Sequence, residues 1–499
     1  MPLLLGVDAG STVTKSVLFD VDGTVVGTAS HRVPLRYPAP HHVERDPDEL
    51  FEAVLATVRQ VLAGSGRPGA EVVAVGITSH GDGIYLVDAD GRPTRPGIMS
   101  LDTRARPLVR DWERTGVAQR ALELAGQRPW PSSPGALLAW LAEHEPEVVA
   151  ASRWALPAKD ALRLRLTGEV ATEPTEASLS FTNVNTQRYD GAVLELYGLA
   201  RHARLLPPVR GCTEVAGQIT DQVAAATGLV AGTPVATGAH DVDCSALGTG
   251  VIGPGTASVV AGTFNINQVV STQPRTSPDW YARNFVLDRH WMNMAISPTS
   301  ATNLEWFATR LCGEELERAR QAGTDGFAFV DREVATVAGD ASDVLYLPFL
   351  YGSPLPGDAS ATFLGVRGWH TRAHLLRAVL EGIVFTHRHH LSALDSAFPS
   401  GTVRLTGGAS RSPRWSQIFA DVLARPVEVT TVAESGALGV SLLAGIAAGV
   451  YPDLPSATAG TVSVAGRYLP DPEAVASLDA GYHRFQSAIA ALAPFWESP

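Results

Sequence analysis

Short apolar runs separated by glycine-containing polar turns dominate the start of the chain. The runs Leu3–Val7, Lys15–Phe19 and Thr24–Ala29 have the length and residue types of strands. Residues 47–62 place apolar side chains at helical spacing, and Val72–Ile77 again has the composition of a buried strand. The pattern therefore predicts an opening hairpin with a third strand, then a helix and a further strand.

The second half repeats this alternation. Thr256–Ala261 and Asn267–Val270 are strand-like and flank a second turn of glycine and hydroxyl residues. Thr371–Phe398 has a long helical pattern, Val403–Thr406 is a strand, and Glu434–Gly449 is a helix rich in small residues. Strands that alternate with helices predict α/β layers. The recurrence predicts a duplicated domain around a cleft.

The chain length supports this division. A chain of 499 residues with 45% hydrophobic and 18% charged residues is expected to form two or more globular domains. The glycine-rich segment near the middle places the boundary between an N-terminal domain, residues 1–246, and a C-terminal domain, residues 247–499.

The net charge and the cysteine content indicate which binding partners and which cellular compartment are expected. The net charge of −12 disfavours nucleic acid and anionic membrane surfaces as partners. The apolar run near residues 440–450 has about half the ~20 residues of a membrane span. Cys212, Cys244 and Cys312 are far apart and fit neither a metal motif nor a disulfide framework, which favours a cytoplasmic protein.

A carboxylate follows the apolar run 233–237 in the middle of the chain. The sequence continues as Gly238-Ala-His-Asp241 and then into small residues. We interpret Asp241 as a reactive carboxylate at a strand end, where an α/β sheet offers a cleft. The alternative is an ordinary Asp–Gly turn.

The two hairpin turns have the residues of phosphate-binding loops. Glycine permits a positive φ and a close approach of backbone amides to an anion, and hydroxyls and a lysine add donors. Asp8 could hold Mg²⁺, with water completing its coordination. A plain tight hairpin is the alternative for each turn. The candidate phosphate-binding residues are Gly10, Ser11, Thr12, Lys15, Gly262 and Thr263.

A third glycine cluster, Gly407-Gly408-Ala409, ends a strand and precedes a helix. Small residues there would let a base or ribose lie against the backbone, although a strand-to-helix turn explains them equally well. The segment 434–439 offers another small-residue surface, for which close helix packing is the favoured explanation.

A polar loop after the strand 72–77 has side chains suited to a polyhydroxylated ligand. Ser79, His80 and Asp82 are its candidate contacts, with a solvated turn as the alternative. Asp102 and Trp130 are further candidates. The alternatives are an ion pair of Asp102 with Arg104 or Arg106, and core packing of Trp130.

His387 and His390 are spaced to share one face of a helix. A metal site would need further ligands that the sequence does not supply, so a packed or solvated face is favoured.

An ordered set of motifs resembles the FGGY carbohydrate kinases, over almost the whole length. The motifs are GVDAGST at 6–12, ITSHG at 77–81, LTGE at 166–169, GAHD at 238–241, FLGVRG at 363–368, GGAS at 407–410 and QIFAD at 417–421. The resemblance implies two actin-like, RNase H-like domains that close on ATP and a sugar. The loop Gly81-Asp-Gly83 is most similar to the erythritol and L-xylulose kinase branch.

The resemblance also implies roles for individual residues. Asp241 is expected to be the general base and Asp8 the metal-side carboxylate. The hydroxyl and lysine residues of the two turns are expected to contact phosphates, Gly408 and Ala409 to contact adenosine, and His80 and Asp82 to contact the sugar. Two positions depart from the family pattern: Val242 stands where many members have Asn or Gln, and Ser412 where many have Asn in the adenine loop.

The sequence therefore predicts an ATP- and Mg²⁺-dependent kinase for a small sugar or polyol, with an erythritol-like polyol or L-xylulose as the expected acceptor. Xylulokinase, ribulokinase and glycerol kinase activities are alternatives within the same class. A non-catalytic actin-like ATP-binding sensor or chaperone is the alternative from another class. A homodimer is left open.

Overall fold

The computed structural model describes residues 2–339, 343–353 and 359–496. The chain divides into two compact units. Unit 1 comprises Met1–Ile252, Ser271–Met292 and Val432–Ser463, and unit 2 comprises Gly253–Val270, Asn293–Thr431 and Val464–Pro499. The sequence placed a single boundary after residue 246. The structure instead assigns two later segments to unit 1, because their side chains pack there. The division at 246/247 itself stays a prediction.

Unit 1 contains a mixed six-stranded sheet. The first two strands form the predicted hairpin, and the third strand pairs with the second, also antiparallel. The first strand pairs in parallel with the strand that starts at Val72, so both end at the same edge of the sheet. In order across the sheet, the strands are Val25–Arg32, Val13–Asp20, Leu3–Ala9, Val72–Ser79, Pro234–Ala236 and Val215–Gln218.

Unit 2 repeats this arrangement with its own strands. Thr256–Ala261 pairs antiparallel with the strand after the turn and parallel with Thr402–Gly407, and the final edge strand is again antiparallel. Six strands of this sheet follow one another in the order Trp291–Ser297, Asn265–Ser271, Thr256–Ala261, Thr402–Gly407, Val427–Thr430 and Val464–Tyr468. The predicted α/β class and the repeated hairpin are confirmed.

The helices lie between these strands. In unit 1 they are Pro47–Ser65, Arg106–Thr115, Val117–Ala125, Pro134–His144, Pro146–Ala151, Ala158–Thr167, Pro174–Ala177, Gly191–Leu196, Asp221–Thr227, Asp241–Gly248, Ser435–Ala447 and Leu454–Thr461. In unit 2 they are Thr302–Leu311, Gly313–Ala322, Ala328–Ala335, Arg372–Asp395, Pro413–Leu423 and Pro472–Trp496. Ala200–Leu205 and Gly408–Arg411 are 3₁₀ turns.

Shorter strands complete the units: Glu44–Arg45, Tyr85–Val87, Gly97–Ile98, Trp154–Leu156 and Tyr281–Asn284 in unit 1, and Leu345–Leu347 and Thr362–Leu364 in unit 2.

The first long helix shows why these segments are helical. Asp46 caps its N-terminus by accepting hydrogen bonds from two backbone amides of the first turn. The helix ends at Gly66, which has a φ of 65° and can adopt the left-handed conformation without strain. The apolar face that the sequence pattern predicted, which includes Leu50, Val54 and Val58, is buried in the core of unit 1.

The helix Ser435–Ala447 packs onto the unit 1 sheet with almost no side chain between. A Cβ at Gly6 would lie 2.1 Å from the carbonyl oxygen of Ala437, and a Cβ at Gly76 would lie 2.3 Å from that of Val440. Gly439 is equally close to the carbonyl oxygen of Cys244, at 1.8 Å. The small residues of this helix therefore serve close packing, as the favoured explanation held. This packing places a distant segment beside Asp8.

Candidate active site

Asp241 is the first residue of the helix Asp241–Gly248, and the turn 237–240 joins this helix to the strand Pro234–Ala236. Gly238 makes this turn possible, since its φ is 80° and a Cβ would lie 2.4 Å from the carbonyl oxygen of Ile77. The hydroxyl of Thr78 donates to the carbonyl of Ala239 at 2.7 Å, and the amide of His240 donates to Thr175. These bonds fix the backbone that presents the Asp241 carboxylate.

The Asp241 carboxylate is poised to accept a proton near neutral pH. Burial raises its pKa to about 7, the negative charge of Asp8 adds to the rise, and the Val242 amide opposes it. Its Oδ1 is enclosed and has no hydrogen-bond partner among the described residues. The side chain as a whole keeps 34% exposure. A carboxylate with an open face and a pKa near 7 suits general-base chemistry.

Asp8 lies at the end of the first strand, opposite Lys15 in the ladder and Thr78 in the parallel neighbour. Burial raises its pKa to about 6, Lys15 counteracts the rise, and Glu434 adds to it. A Cβ at Gly436 would lie only 2.8 Å from Oδ2 of Asp8, so glycine there leaves space for the carboxylate.

Lys15 is already paired within unit 1. Its Nζ donates to Oε2 of Glu434 at 2.8 Å and to Oε1 at 3.1 Å. The sequence predicted Lys15 as a phosphate contact and did not anticipate this partner. Both side chains are partly exposed, and such pairs are weak enough to exchange partners. The role at phosphate stays a prediction.

The glycines of the two predicted phosphate loops do not use the left-handed conformation that glycine permits. Neither Gly10 nor Gly262 has a positive φ. At Gly10 the constraint is space, because a Cβ would lie 3.0 Å from the carbonyl oxygen of Val13. At Gly262 the nearest atom to a Cβ would be a methyl group of Val260 at 3.8 Å, which is ordinary contact. Neither turn requires a left-handed residue.

The turn that contains Ser11 and Thr12 is held by a buried arginine that the sequence reading missed. Arg45 donates to the carbonyl oxygens of Gly10, at 3.1 Å, and of Ser11. These bonds use the carbonyl groups and leave the hydroxyls of Ser11 and Thr12 for other contacts. Arg45 comes from a two-residue strand, Glu44–Arg45, too short to give a sequence pattern.

The predicted sugar loop lies in the same unit, next to Asp241. Ser79 ends its strand and its hydroxyl donates to the carbonyl of His80 at 3.2 Å. Burial lowers the pKa of His80 to about 3, with Arg45 contributing, so the ring is neutral. Neither ring nitrogen of His80 has a hydrogen-bond partner within the described ranges. A neutral imidazole can donate to one hydroxyl and accept from another.

Asp82 adopts an unusual backbone conformation in this loop, with a φ of 55°. Burial raises the pKa of Asp82, whereas Arg283 and Trp130 oppose that rise. The electrostatic influence of Asp82 and Arg283 reaches Asp241, which puts the loop and the carboxylate in one site. A strained residue that persists at such a place is typical of a ligand-binding role.

Trp130 lies beside Asp82, where it opposes the rise in the pKa of that carboxyl, and its contact with the sugar stays a prediction. The other neighbours of Trp130 were not foreseen. Its ring lies 6.3 Å from that of Tyr281, and Arg283 sits 5.2 Å from the Tyr281 ring centre. Nε of Arg283 donates to Oε1 of Gln127 at 2.9 Å. Tyr281 and Arg283 come from a segment about 150 residues further along the chain, and no local pattern marks it.

Asp102 does not face a ligand. It is fully buried, accepts from Nε and Nη2 of Arg104, and also accepts from the Val43 amide at 2.6 Å. Arg104 is bound in turn by Glu44. The prediction of Asp102 as a sugar contact is therefore corrected to the alternative, a structural ion pair with Arg104, because its acceptor positions are occupied.

His240 lies between two carboxylates. Its Nε2 is 3.5 Å from Oδ1 of Asp241, and its Nδ1 is 3.5 Å from Oδ2 of Asp243. A Cβ at Gly81 would lie 1.6 Å from Nε2, so glycine at 81 is required for the imidazole to occupy this place. Burial lowers the pKa of His240 well below its usual range.

Unit 2 contains a cavity of about 510 Å³. Apolar and small residues form most of its wall, with a few charges at its border. The lining includes Gly262, Thr263, Ala301, Leu304, Glu305, Phe327, Val330, Asp331, Leu380, Gly408, Arg411, Ser412 and Trp415. Such a cavity suits a planar base with its ribose.

One residue of the third glycine cluster lines this cavity, and the contact of the cluster with adenosine stays a prediction. Gly407 has a φ of 85°, and a Cβ there would lie 2.5 Å from the carbonyl oxygen of Ala261, so the chain turns only with glycine. Gly408 lines the cavity, whereas Ala409 is fully buried beneath it. The Ser412 hydroxyl accepts from the Trp415 amide and donates to Asp331 at 2.6 Å. Ser412 therefore caps a helix at the cavity wall.

The histidines of the long unit 2 helix are structural. His387 is buried, with Nε2 3.0 Å from the Ser300 hydroxyl and Nδ1 2.8 Å from Oδ1 of Asn267. This confirms the packed-face interpretation. Across the described residues, no three His, Cys, Asp or Glu side chains are grouped to hold a metal ion. In the same part of the chain, no helix has both the length and the apolar character to cross a bilayer.

Comparisons with known proteins agree with this geometry. Residues 3–248 match the N-terminal domain of the FGGY family of carbohydrate kinases, and residues 257–448 match its C-terminal domain. An Escherichia coli protein named L-xylulose/3-keto-L-gulonate kinase is 36% identical over 498 residues, which cover 98% of this chain and 97% of that protein. Erythritol kinase of Brucella abortus is 28% identical, with 99% of this chain and 97% of that protein covered.

Among solved structures, xylulose kinase from Rhodospirillum rubrum superimposes with a TM-score of 0.88 at 28% identity, and 99% of each chain is covered. The chain therefore belongs to the FGGY family of carbohydrate kinases. It is a sugar kinase with the actin-like fold of that family. The non-catalytic alternative is excluded on that basis.

Proposed function

We propose that this kinase transfers the γ-phosphoryl group of ATP to a hydroxyl of a small ketose of the L-xylulose type. The observation that carries the proposal is the Asp241 carboxylate, whose Oδ1 has no partner in the described structure and whose pKa is raised to about 7. The Escherichia coli relative supports the ketose, since its name includes L-xylulose. That name also includes a sugar acid, 3-keto-L-gulonate.

Asp241 acts as the general base on the attacking hydroxyl. Phosphoryl transfer depends chiefly on positioning and charge neutralisation, and a positioned base typically adds about 10²–10⁴ in rate. Neutral His80 and the Asp82 loop orient the sugar hydroxyls. The Ser79 hydroxyl is already bound to the His80 carbonyl, so its role is to hold the loop.

The nucleotide occupies the unit 2 cavity in this proposal. Adenosine lies against Gly408 and the wall formed with Ser412, while Thr263 and Gly262 at the cavity border meet the phosphates. In unit 1, the predicted phosphate contacts remain Gly10, Ser11, Thr12 and Lys15. The Ser412 hydroxyl already donates its proton to Asp331. Ser412 therefore contacts adenine by van der Waals packing and does not donate a hydrogen bond to it.

The residues present fit a magnesium ion at Asp8. Mg²⁺ is usually held by one or two protein carboxylates, with water and phosphate oxygens as the other ligands. Burial and the nearby carboxylates raise the pKa of Asp8, so a cation at this place would relieve an existing electrostatic cost. Bound there, the ion would neutralise phosphate charge.

Two further parts of the proposal concern the protein in the cell. A cytoplasmic location suits a kinase that uses ATP, and the three buried free cysteines are compatible with a reducing compartment. A homodimer is the oligomeric state to test by light scattering.

A coupled ADP-release assay tests the acceptor. The panel contains D- and L-xylulose, D- and L-ribulose, erythritol, threitol, glycerol, ribitol and xylitol, each with ATP and Mg²⁺. We expect L-xylulose to give the highest kcat/KM. A higher value for erythritol would replace the ketose with a polyol. No turnover on the whole panel would overturn the proposed acceptor class.

A further inference from the structure

Arg283 is held in the unit 1 site by one hydrogen bond and by its place over the Tyr281 ring. It lies on the strand Tyr281–Asn284 and is 5% exposed. Its Nε donates to Gln127, and Gln127 is fixed by its own bond from Nε2 to the Ser178 carbonyl at 2.6 Å. Among the residues that the structure describes, this is the single hydrogen bond that the Arg283 guanidinium makes. The guanidinium is therefore oriented, with its outer nitrogens available.

The carboxylate nearest these nitrogens is that of Asp82, but Arg283 and Asp82 do not form a hydrogen bond with each other. Nη2 of Arg283 is 3.7 Å from Oδ1 of Asp82, which is too far for a hydrogen bond. Oδ1 of Asp82 is enclosed and has no hydrogen-bond partner in the described part of the chain. Burying opposite charges is costly unless their remaining hydrogen bonds are made. The open pair therefore leaves Oδ1 of Asp82 and the outer nitrogens of Arg283 able to bind a further polar group.

The loop holds the backbone of Asp82 in an energetically unfavourable conformation. Asp82 has a φ of 55°, in the left-handed region that Asp and Asn tolerate better than most residues. Gly83 follows with a φ of 77°, and its Cβ would lie 2.3 Å from the Ile98 carbonyl oxygen. The backbone of the loop thus fixes the position from which the Asp82 side chain extends.

We propose that Asp82 and Arg283 form a charge-balanced subsite that binds a neutral hydroxyl of the sugar and rejects acceptors that carry a carboxylate. A hydroxyl group can accept from Arg283 and donate to Asp82 at once. A carboxylate has no proton to donate and meets the charge of Asp82. This inference rests on the proposed function and deepens it, because it names the charge class of the acceptor.

The test compares a neutral ketose with its matched sugar acid, in which a carboxylate replaces the terminal CH₂OH. We expect the wild-type protein to favour the ketose by at least about a hundredfold in kcat/KM. In Asp82→Asn, which keeps the side-chain shape and tolerates the positive φ, that ratio should fall at least about tenfold. In this variant the negative charge of Asp82 no longer offsets the positive charge of Arg283, so Arg283 attracts the carboxylate of the sugar acid.

Arg283→Gln should move the same ratio in the opposite direction. Without the arginine, the Asp82 charge is unbalanced and repels the acid further, while turnover of both acceptors falls. A structural role alone would lower both activities without shifting the ratio in opposite senses. Where turnover is too slow, calorimetric binding of the two acceptors gives the same ratio.

Asp102→Asn is the matched control. Asp102 is also a buried carboxylate with an arginine partner in unit 1, but its acceptor positions are filled. We expect lower thermal stability and an unchanged ratio. A wild-type preference for the acid, or a ratio that Asp82→Asn leaves unchanged, overturns the subsite while ketose turnover keeps the proposed function. No turnover or binding of any acceptor by the wild type overturns both.

Discussion

Each unit has a hairpin whose first strand ends at the turn, and the two hairpins differ at the last residue pair but one before that turn. In unit 1 this pair is Asp8–Lys15, whereas in unit 2 it is Val260–Ile266. The neighbour in the parallel strand is a threonine in both, Thr78 in one and Thr406 in the other. One scaffold therefore presents a charged pair at one strand end and an apolar pair at the other. Which chemistry a unit supports is decided by these few side chains.

The candidate site in unit 1 and the cavity in unit 2 also differ in their content of charged groups. The unit 1 site contains buried groups with shifted pKa values, among them Asp8, His80, Asp82 and Asp241. The unit 2 cavity is mostly apolar, and its polar Ser412 is already bound. Buried charges with unmade hydrogen bonds suit catalysis and specificity at a cost in stability. A mostly apolar cavity binds its ligand chiefly through van der Waals contact with a surface of matching shape.

The strongest test of this contrast removes the carboxylate. Asp241→Asn should lower kcat by about 10²–10⁴, since a general base of this kind typically contributes that factor. ATP binding, measured by calorimetry, should be unchanged, because the cavity in unit 2 keeps its wall. Turnover within a few fold of the wild type would remove Asp241 from the role of base.

Gly81→Ala should have the next largest effect. The new methyl group would occupy the place of the His240 imidazole, 1.6 Å from Nε2, and His240 adjoins Asp241. We expect kcat/KM to fall about ten- to a hundredfold, with about 1–3 kcal/mol lost in the free energy of unfolding. The matched control is Gly64→Ala in the helix Pro47–Ser65.

At Gly64 no atom lies within 4 Å of the new Cβ, and the residue is helical. This control should be neutral or stabilise by about 0.5–1 kcal/mol. Chemical denaturation of both variants checks the stabilities. Equal losses in the two would show that contact with His240 is irrelevant.

The pH dependence of kcat/KM should follow the base. Asp241 must be ionised to accept a proton, and its pKa is raised to about 7. The activity should therefore fall as the pH decreases through about 7, approaching tenfold per pH unit below it. Initial rates between pH 5.5 and 8.5, with enzyme stability checked at each pH, give the profile. An unchanged rate down to pH 5 would contradict the raised pKa.

The smallest expected effect belongs to unit 2. Gly408→Leu places a side chain in the cavity, where a Cβ finds only Ala301 at 3.8 Å and the Ala261 carbonyl at 3.9 Å. We expect KM for ATP to rise about five- to tenfold while KM for the sugar stays within twofold. Steady-state kinetics with each substrate varied in turn separates the two. A rise confined to the sugar KM would contradict the assignment of the cavity to the nucleotide.

Much of the fold followed from local patterns. The strands at Leu3–Ala9 and Thr256–Ala261 and the helix Pro47–Ser65 were predicted, since alternating or helical spacing of apolar residues reflects which face is buried. Element ends were less certain; that helix runs to Ser65 because Gly66 is the first left-handed residue. Glycine at positions 10 and 262 permits a positive φ, and only the structure shows that neither residue adopts one.

The sequence alone determined the α/β class, the two repeated hairpins, and Asp241 as the residue to test, because each depends on short-range spacing and residue type. Only the tertiary structure decided the surroundings of that residue. It brought Arg283 and Gln127 together across 156 positions and paired Glu434 with Lys15. Burial and charge depend on residues distant in the chain, so no local pattern could give the pKa of Asp241 or the partner of Asp82.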